Sequence, residues 1–268
     1  MLETRNGRGY IKHYMFDFGS ILGSGTIFAQ RRRAGNEYIF ELQPGWRTLA
    51  TLGLYLRPWL LVDYPDVPPS IGRFEGDAFE PARWKPEYRN PAFENMRPDD
   101  AFWAARIVAK FSNERIAAIV GKARYSDPRA SAYLTETLIK RRDKVLRTWL
   151  NGVNPVVDAD LSASGELTFA NAAVAAGVAE PAARYDLQWF RYDNATDSET
   201  PLAEPAIVDG ASGAASSSLP AALLTTAAGN YIGVRITTRH PSHPAWARPA
   251  TFFFRRSADG WSTVGAER

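Results

Sequence analysis

The amino-acid sequence predicts an α+β protein: an N-terminal β-hairpin and loop with a helical region, followed by a small, mainly antiparallel β domain. Three observations lead to this expectation. Hydrophobic residues make up 45% of the 268 residues, which is enough for a core. Helical periodicity is concentrated in residues 98–150, and alternating aromatic-rich stretches follow residue 184. We expect two domains, 1–152 and 153–268.

The first domain is predicted to begin with a strand at Gly9–Phe18, placed after the turn signal Asn6-Gly7. A glycine-punctuated loop, Asp17 to Thr26, follows. Residues 41–95 contain many prolines, which break long helices, and many aromatic residues, which argue against disorder. We therefore expect an ordered but irregular segment wrapped on a core.

Three helices are predicted between residues 98 and 150. Pro98 suits the first turn of one helix, and Ser112 is a capping residue for the next. Asp127-Pro128 begins the third helix and Gly152 ends it. Their predicted apolar faces include Phe102, Ala105, Ile107, Val108, Phe111, Ile116, Ile119, Val120, Leu134, Leu138, Val145 and Trp149.

The second domain is predicted to be a small antiparallel sandwich. Its expected strands are Tyr185–Tyr192, Asn230–Thr238, Ala250–Arg256 and Trp261–Gly265. A short helix is expected at Ala170–Val178. Residues 203–229 are rich in Ala, Ser and Gly, which predicts a long, partly flexible loop.

Composition limits the classes of function. The absence of cysteine excludes disulfides, thiolate zinc sites and a cysteine nucleophile. Residues 1–150 carry a net charge of +7 and residues 151–268 a net charge of −4. This excess is compatible with an anionic ligand such as a nucleotide, or only with solubility, and is too small to indicate nucleic-acid binding. No apolar run suits a membrane-spanning helix, and residues 1–15 lack the apolar block of a secretory signal.

The strongest candidate for chemistry is the run His13-Tyr14-Met15-Phe16-Asp17-Phe18-Gly19-Ser20. A carboxylate that leaves a buried strand can hold a divalent metal against phosphate oxygens, and glycine lets the backbone turn beside such a ligand. Asp17 is therefore the candidate ligand for Mg²⁺, and Gly19 and Ser20 are candidate contacts to ATP. The alternative is that Asp17 caps a turn and Phe18 fills the core.

These residues, extended through Ile21-Leu22-Gly23-Ser24, resemble a signature of a largely uncharacterised bacterial family of atypical kinase-like proteins. The resemblance continues in Ile71-Gly72-Arg73-Phe74-Glu75, in Met96-Arg97-Pro98-Asp99-Asp100-Ala101-Phe102-Trp103-Ala104-Ala105 and in Tyr125-Ser126-Asp127-Pro128-Arg129. It covers most of residues 8–150 and implies a portion of a kinase-like C-lobe, with Asp17 as the magnesium ligand.

The sequence also departs from the kinase pattern. Only sixteen residues precede Asp17, and they contain neither a nucleotide-binding lobe nor a catalytic loop. We therefore expect the C-terminal part of a phosphotransferase, inactive alone, that needs an upstream lobe to bind Mg²⁺ and ATP. An exposed hydrophobic face is expected where that lobe docks. The partner would be this lobe or a protein substrate.

The alternative function is a non-enzymatic binding or structural protein whose β domain recognises a protein or a glycan. Trp189, Trp246 and Trp261 could stack on such a ligand, although burial in a sandwich core is the favoured use.

Four other motifs are weaker, and each has a structural alternative that is favoured. They are the phosphate-loop-like Gly19 to Thr26, the pair His240 and His243 as a metal site, Asp99-Asp100 as an acid and base, and the basic run 140–144 as a phosphate site.

Overall fold

The computed structural model describes residues 8–11, 21–25, 27–64, 66–202, 204–210 and 213–268, together with residues 2–5. Helices account for 29% of the structure and antiparallel sheets for 26%. The helical region comes before the antiparallel β domain in the chain. The predicted α+β class is confirmed. Within the described residues, every helix is too short or too polar to cross a membrane.

The chain divides into two compact units. The first unit contains residues 1–79, 83–89 and 117–138, and the second contains residues 80–82, 90–116 and 139–268. The division therefore falls inside two helices of the predicted helical region instead of near residue 152. The predicted helical region contributes to both units.

The first unit begins with two antiparallel strands, β1 (Leu2–Arg5) and β2 (Arg8–Ile11), as expected for an N-terminal hairpin. Residues 12–18 of the predicted strand lie outside the described residues. Helix α1 (Leu42–Ala50) lies in the segment that was predicted to be irregular. Pro44 is tolerated because the first helical residues need no N–H donor inside the helix. A short 3₁₀ turn follows at Pro58–Leu60.

A short helix α2 (Pro91–Glu94) precedes the predicted helical region, which contains the three expected helices. The latter are α3 (Pro98–Val108), α4 (Asn113–Gly121) and α5 (Pro128–Leu150). Two caps have the predicted form, since Ser112 Oγ accepts from Arg115 N–H at 3.2 Å and Asp127 Oδ1 accepts from Arg129 N–H at 2.8 Å. The apolar face was only partly correct, because Ile107 and Ile119 are exposed.

The second unit contains two antiparallel sheets. The larger sheet has the order β11-β10-β9-β5-β6, with β7 also paired to β5, and the smaller has the order β3-β4-β8. The strands are β3 (Val156–Leu161), β4 (Glu166–Asn171), β5 (Arg184–Asp193), β6 (Ser198–Pro201), β7 (Ala206–Asp209), β8 (Ala214–Ser218), β9 (Tyr231–Arg239), β10 (Ala250–Arg256) and β11 (Trp261–Glu267).

The four predicted strands correspond to β5, β9, β10 and β11, and the predicted short helix is the single turn α6 (Ala172–Ala175). The expectation of a long loop at 203–229 needs correction. Its described residues contain β7, β8 and the helical turn α7 (Ala221–Leu224). Strand β7 is stabilised by pairing with β5 and strand β8 by pairing with β4, both of which lie earlier in the chain.

One hydrophobic core joins the two sheets of the second unit, as expected for a sandwich. Alternating residues of β3 and β4 face it from the smaller sheet, and alternating residues of β5, β9 and β10 face it from the larger sheet. Helix α3 and the end of α5 also contribute, through Phe102, Ala105, Leu146 and Leu150.

Asn154 is a polar side chain buried in this core, with 1% exposure. Its Nδ2 donates to the carbonyl oxygens of Ile236, Trp246 and Arg248 at 2.8, 3.0 and 3.0 Å. Its Oδ1 accepts from Thr238 Oγ1 at 3.0 Å. The same oxygen accepts from the N–H of Val156, two residues along, at 3.2 Å. One amide therefore connects the start of β3 to β9 and to the segment before β10.

The outer face of the larger sheet has a glycine under an aromatic ring. Phe190 on β5 lies opposite Gly233 on β9, and Phe253 on β10 lies opposite the same glycine. A Cβ atom at position 233 would lie 2.1 Å from Cζ of Phe190. The glycine therefore leaves room for the Phe190 ring, which is fully buried although it is on the outer face.

We predict that Asn154→Ala lowers the free energy of unfolding by about 3 kcal/mol or more, because several buried partners lose their hydrogen bonds together. Urea denaturation measures this change. Asn230→Ala is the matched control, since Asn230 is exposed and should change stability by only about 0.5 kcal/mol. Equal effects of the two substitutions would contradict the role of Asn154.

Candidate functional site

The three residues predicted to hold Mg²⁺ and ATP, Asp17, Gly19 and Ser20, lie outside the described residues. Their roles stay predictions. The structure does describe most of the glycine loop that follows them, from Ile21 to Gly25.

The described part of this glycine loop is built for close contact between two backbone segments. Gly23 has a positive φ of 75°, and a Cβ atom there would lie 2.3 Å from the carbonyl group of Arg73. A Cβ atom at Gly72 would lie 2.0 Å from the Gly23 oxygen. Glycine at both positions allows Arg73 N–H to donate to Gly23 O at 3.0 Å.

The amide groups of this loop are occupied by the chain itself. Ser24 N–H donates to Ile21 O at 3.0 Å, and Gly25 N–H donates to Phe28 O at 2.8 Å. These two N–H groups are therefore not free to donate to a phosphate. This argues against a phosphate-binding loop at Gly23 to Gly25.

Residues 71–75, which carry part of the family resemblance, form the packing centre of the first unit. Ile71 and Phe74 are buried, and Phe74 O accepts from the hydroxyl of Tyr133 on α5 at 2.7 Å. Arg73 Nη1 donates to Gln30 O at 2.8 Å. This motif therefore has a structural role in the described part of the chain.

Among its described residues, the first unit exposes more large apolar side chains than it buries. Its described buried aliphatic and aromatic residues are Ile71, Phe74, Val120, Ala130 and Leu134. Its exposed large apolar residues are Ile21, Ile27, Phe28, Phe40, Leu42, Trp46, Leu49, Leu52, Leu54, Leu56, Leu60, Leu61, Trp84, Tyr88 and Ile119. Large exposed apolar surfaces mark interaction sites.

The most exposed of these residues are concentrated in residues 40–56, which we name the apolar segment. It contains helix α1, none of whose residues is buried. Leu42, Trp46 and Leu49 are exposed by 93%, 70% and 71%, and their spacing of four and three residues places them on one face of α1. Leu52 and Leu54 add two exposed side chains after the helix.

Ion pairs at both ends hold the apolar segment in place. Arg57 Nη1 contacts Glu37 Oε2 at 2.5 Å, which joins the residues on either side of the segment. Lys85 Nζ contacts Glu41 Oε1 at 2.5 Å at the start of α1. The two ends of the segment are therefore held together by ion pairs. Its large apolar side chains are exposed and are not part of a core among the described residues.

The charges around the apolar segment are mainly positive. Residues 27–64 contain five arginines against three acidic residues. Two of these acids, Glu37 and Glu41, are paired with Arg57 and Lys85. Arg47 on α1 lies over the ring of Tyr55, 5.9 Å from its centroid. A surface that covers this segment would therefore match it best with acidic groups at its rim.

Two candidate motifs of the helical region make structural contacts. Asp100 Oδ2 accepts from Arg97 N–H at 2.9 Å and so caps the start of α3. Asp99 forms an ion pair with Arg97 Nε at 3.3 Å. In the basic run 140–144, Arg142 donates to Asp143 and to the carbonyl oxygen of Phe111. Both observations favour the structural interpretation.

His240 and His243 stack on a buried tryptophan. The ring centroids of His243 and Trp246 are 4.5 Å apart with an interplanar angle of 19°, and the two imidazole centroids are 4.6 Å apart. His240 Nδ1 accepts from Ser242 N–H at 3.1 Å. Within the part of the chain that the structure describes, no group of three or more possible metal-ligating side chains is found. The pair therefore forms an aromatic cap over Trp246.

The tryptophans considered for ligand stacking lie in or against the core. Trp189 and Trp246 have no exposed surface, and Trp261 is partly buried against the same core. Trp189 and Trp246 are therefore not available to a glycan or peptide in this conformation. On the outer face of the sheet, Arg235 lies over Phe190 and forms an ion pair with Glu199.

Comparison with known proteins provides no assignment. No protein-family model matches this chain, and no curated protein matches it either.

The histidine cap predicts a pH dependence of stability. Burial, and secondarily the neighbouring His240, lower the pKa of His243 below its usual value of 6.5. The folded state therefore binds fewer protons than the unfolded state, so this contribution to stability is complete above pH 6.5 and is lost as the pH falls through the folded-state pKa. Urea denaturation at a series of pH values should show this loss.

The variant His243→Gln should remove that part of the pH dependence. His240→Gln should retain most of it, because burial is the larger cause of the lowered pKa. An unchanged pH profile in His243→Gln would contradict the assignment to this residue.

Proposed function

We propose that this protein is a binding module that works as one part of a larger protein assembly, and that the apolar segment docks onto a folded polypeptide. The observation that carries the proposal is the excess of exposed over buried large apolar side chains in the first unit. Burial of such side chains is the main favourable term in protein association.

The amphipathic form of α1 supports a protein partner. Three large side chains on one helix face, spaced by four and three residues, are the pattern that a helix uses to bind in an apolar groove. Trp46 is the central residue of this face, and tryptophan is enriched among the residues that dominate binding energy. A partner with a groove of matching length would bury all three side chains.

Charge favours a different polypeptide over a second copy of this chain. The residues around the segment carry excess positive charge, and residues 1–150 as a whole have a net charge of +7. Two such surfaces would repel each other, whereas a groove with acidic groups at its rim would attract this surface. We therefore commit to an apolar, acid-rimmed partner surface.

The resemblance to kinase-like proteins provides an expected identity for this partner. The lobe that would complete a phosphotransferase is the nucleotide-binding half, and an exposed hydrophobic face was expected where it docks. On this proposal the chain alone does not catalyse phosphoryl transfer, because most groups that position a nucleotide are supplied by the partner.

The experiment is a titration of this chain with the proposed upstream polypeptide, a separately produced nucleotide-binding lobe of the kinase-like type, followed by calorimetry and light scattering. Trp46→Ala should weaken the complex by about thirtyfold, which corresponds to about 2 kcal/mol. The stability of the chain alone should change by only about 0.5 kcal/mol, because Trp46 is largely exposed.

Trp103→Ala is the matched control, because Trp103 has a similar exposure of 65% on α3 in the other unit. It should leave the complex unchanged. A loss of several kcal/mol of stability in the isolated Trp46→Ala variant would contradict the proposal, since it would mean that the segment is already packed in solution. Failure of the upstream polypeptide to bind would exclude it as the partner and count against the proposal.

The role of Asp17 requires its own experiment. If the assembly transfers phosphate, the chain alone should not bind Mg²⁺-ATP with micromolar affinity, and Asp17→Asn should abolish metal binding by the assembled protein. Calorimetric titration of both forms measures this. If Asp17 only caps a turn, the substitution would leave metal binding intact and change stability modestly.

A further inference from the structure

A small cavity in the second unit is lined by three arginines. It has a volume of about 70 Å³, and its charged wall consists of Arg97, Arg248, Arg268 and one carboxylate, Asp99. The remaining wall is formed by Asn154 and by the apolar residues Pro98, Val153 and Pro249. This space is large enough for several waters or for one phosphoryl or carboxylate group, and too small for a nucleoside.

Two of the arginines are positioned through Asn154. The carbonyl oxygen of Arg248 accepts from Asn154 Nδ2 at 3.0 Å, which fixes the backbone that carries this side chain. Arg268 donates from Nε to Asn154 O at 3.3 Å and from Nη2 to Val156 O at 2.5 Å. Its guanidinium lies 4.7 Å from the ring centroid of Phe102. The cavity wall is therefore held by the buried core.

The positive charge of this wall is only partly compensated. Asp99 pairs with Arg97 at 3.3 Å. The guanidinium of Arg268 contacts two carbonyl oxygens and an aromatic ring. Arg106 and Asp158, whose charges also act on Arg268, form an ion pair at 2.7 Å and are neutral as a pair. Burial, and then Arg106, lower the pKa of Arg268, although the group remains a cation at neutral pH.

Arg248 is the arginine of the cavity whose side chain has no polar partner among the described residues. Its side chain is exposed and makes no hydrogen bond or ion pair with the residues that the structure describes. The four charged side chains of the wall sum to +2. A guanidinium fork at a partly desolvated site is the group that best binds an oxyanion.

We propose that this cavity binds a small oxyanion, either free phosphate or the terminal phosphoryl group of a small organic phosphate, between Arg248 and Arg268. The apolar walls exclude water from one side of the ion, and the arginines provide the charge. The site lies entirely in the second unit and is independent of the apolar segment.

The experiment is an NMR titration of the ¹⁵N-labelled full chain with inorganic phosphate, at constant ionic strength maintained with chloride. We expect saturable shifts of the amides of Val153, Asn154 and Arg248, with millimolar affinity or better. Arg248→Gln should weaken binding about tenfold, because it removes one charge-assisted contact.

Arg147→Gln is the matched control. Arg147 is exposed near the end of α5 in the same unit, lies outside the cavity, and makes no side-chain contact with the described residues. It should bind phosphate like the unsubstituted chain.

A parallel titration with methyl phosphate distinguishes the two sources. Equal affinities would identify a site for the terminal group of a phosphate monoester, and binding of inorganic phosphate alone would identify a site for the free ion. Absence of saturable shifts at these amides, or equal affinity in Arg248→Gln, would overturn the proposal.

Discussion

The hydrogen bonds of Asn154 are the constraint on which the second unit depends. This residue follows helix α5 and precedes β3, the first strand of the β domain, so its amide fixes the point at which α5 leads into the sheets. Its side chain satisfies carbonyl oxygens from β9 and from the segment before β10, which would otherwise be buried without a donor. The same residue also provides the carbonyl oxygen that positions Arg268. Stability and the proposed anion site therefore depend on one residue, through its side chain and its backbone carbonyl oxygen.

The first unit has the opposite character. Its packing centre, at residues 71–75, is small, and much of its apolar material lies in a segment that is anchored by ion pairs at its base. Ion pairs at the surface contribute little stability, but they can fix the position of a segment. A helix that is held in place with its apolar face uncovered loses little conformational entropy when it binds. This arrangement suits a docking element.

The sequence predicted the elements whose signals are local. Helix α3 begins at Pro98, and α4 and α5 begin directly after the capping residues Ser112 and Asp127. These start signals are visible in a few neighbouring residues of the sequence. Strands β5, β9, β10 and β11 were predicted from their alternation and aromatic content. Strands β7 and β8 were missed because their Ala- and Ser-rich sequences have weak propensity, and pairing with distant strands stabilises them.

The functional features were less visible in the sequence. An exposed apolar face was expected, but not its location, because the many prolines of residues 41–95 led to the expectation of an irregular segment where α1 lies. Nothing in the sequence around Asn154 marks it as a buried hub, since its partners come from residues more than eighty positions away. The arginine-lined cavity combines residues from four separate parts of the chain, so it has no local pattern either. Such sites depend on tertiary structure and have no local pattern.

The contact between Phe190 and Gly233 has an evolutionary consequence. The ring occupies the volume that any side chain at position 233 would need, so the two positions cannot change independently. A descendant that acquires alanine at position 233 must also replace the phenylalanine with a smaller residue or displace it. Related sequences should therefore show linked substitutions at these two sites, and the aromatic layer on the outer face should be inherited or lost as a unit.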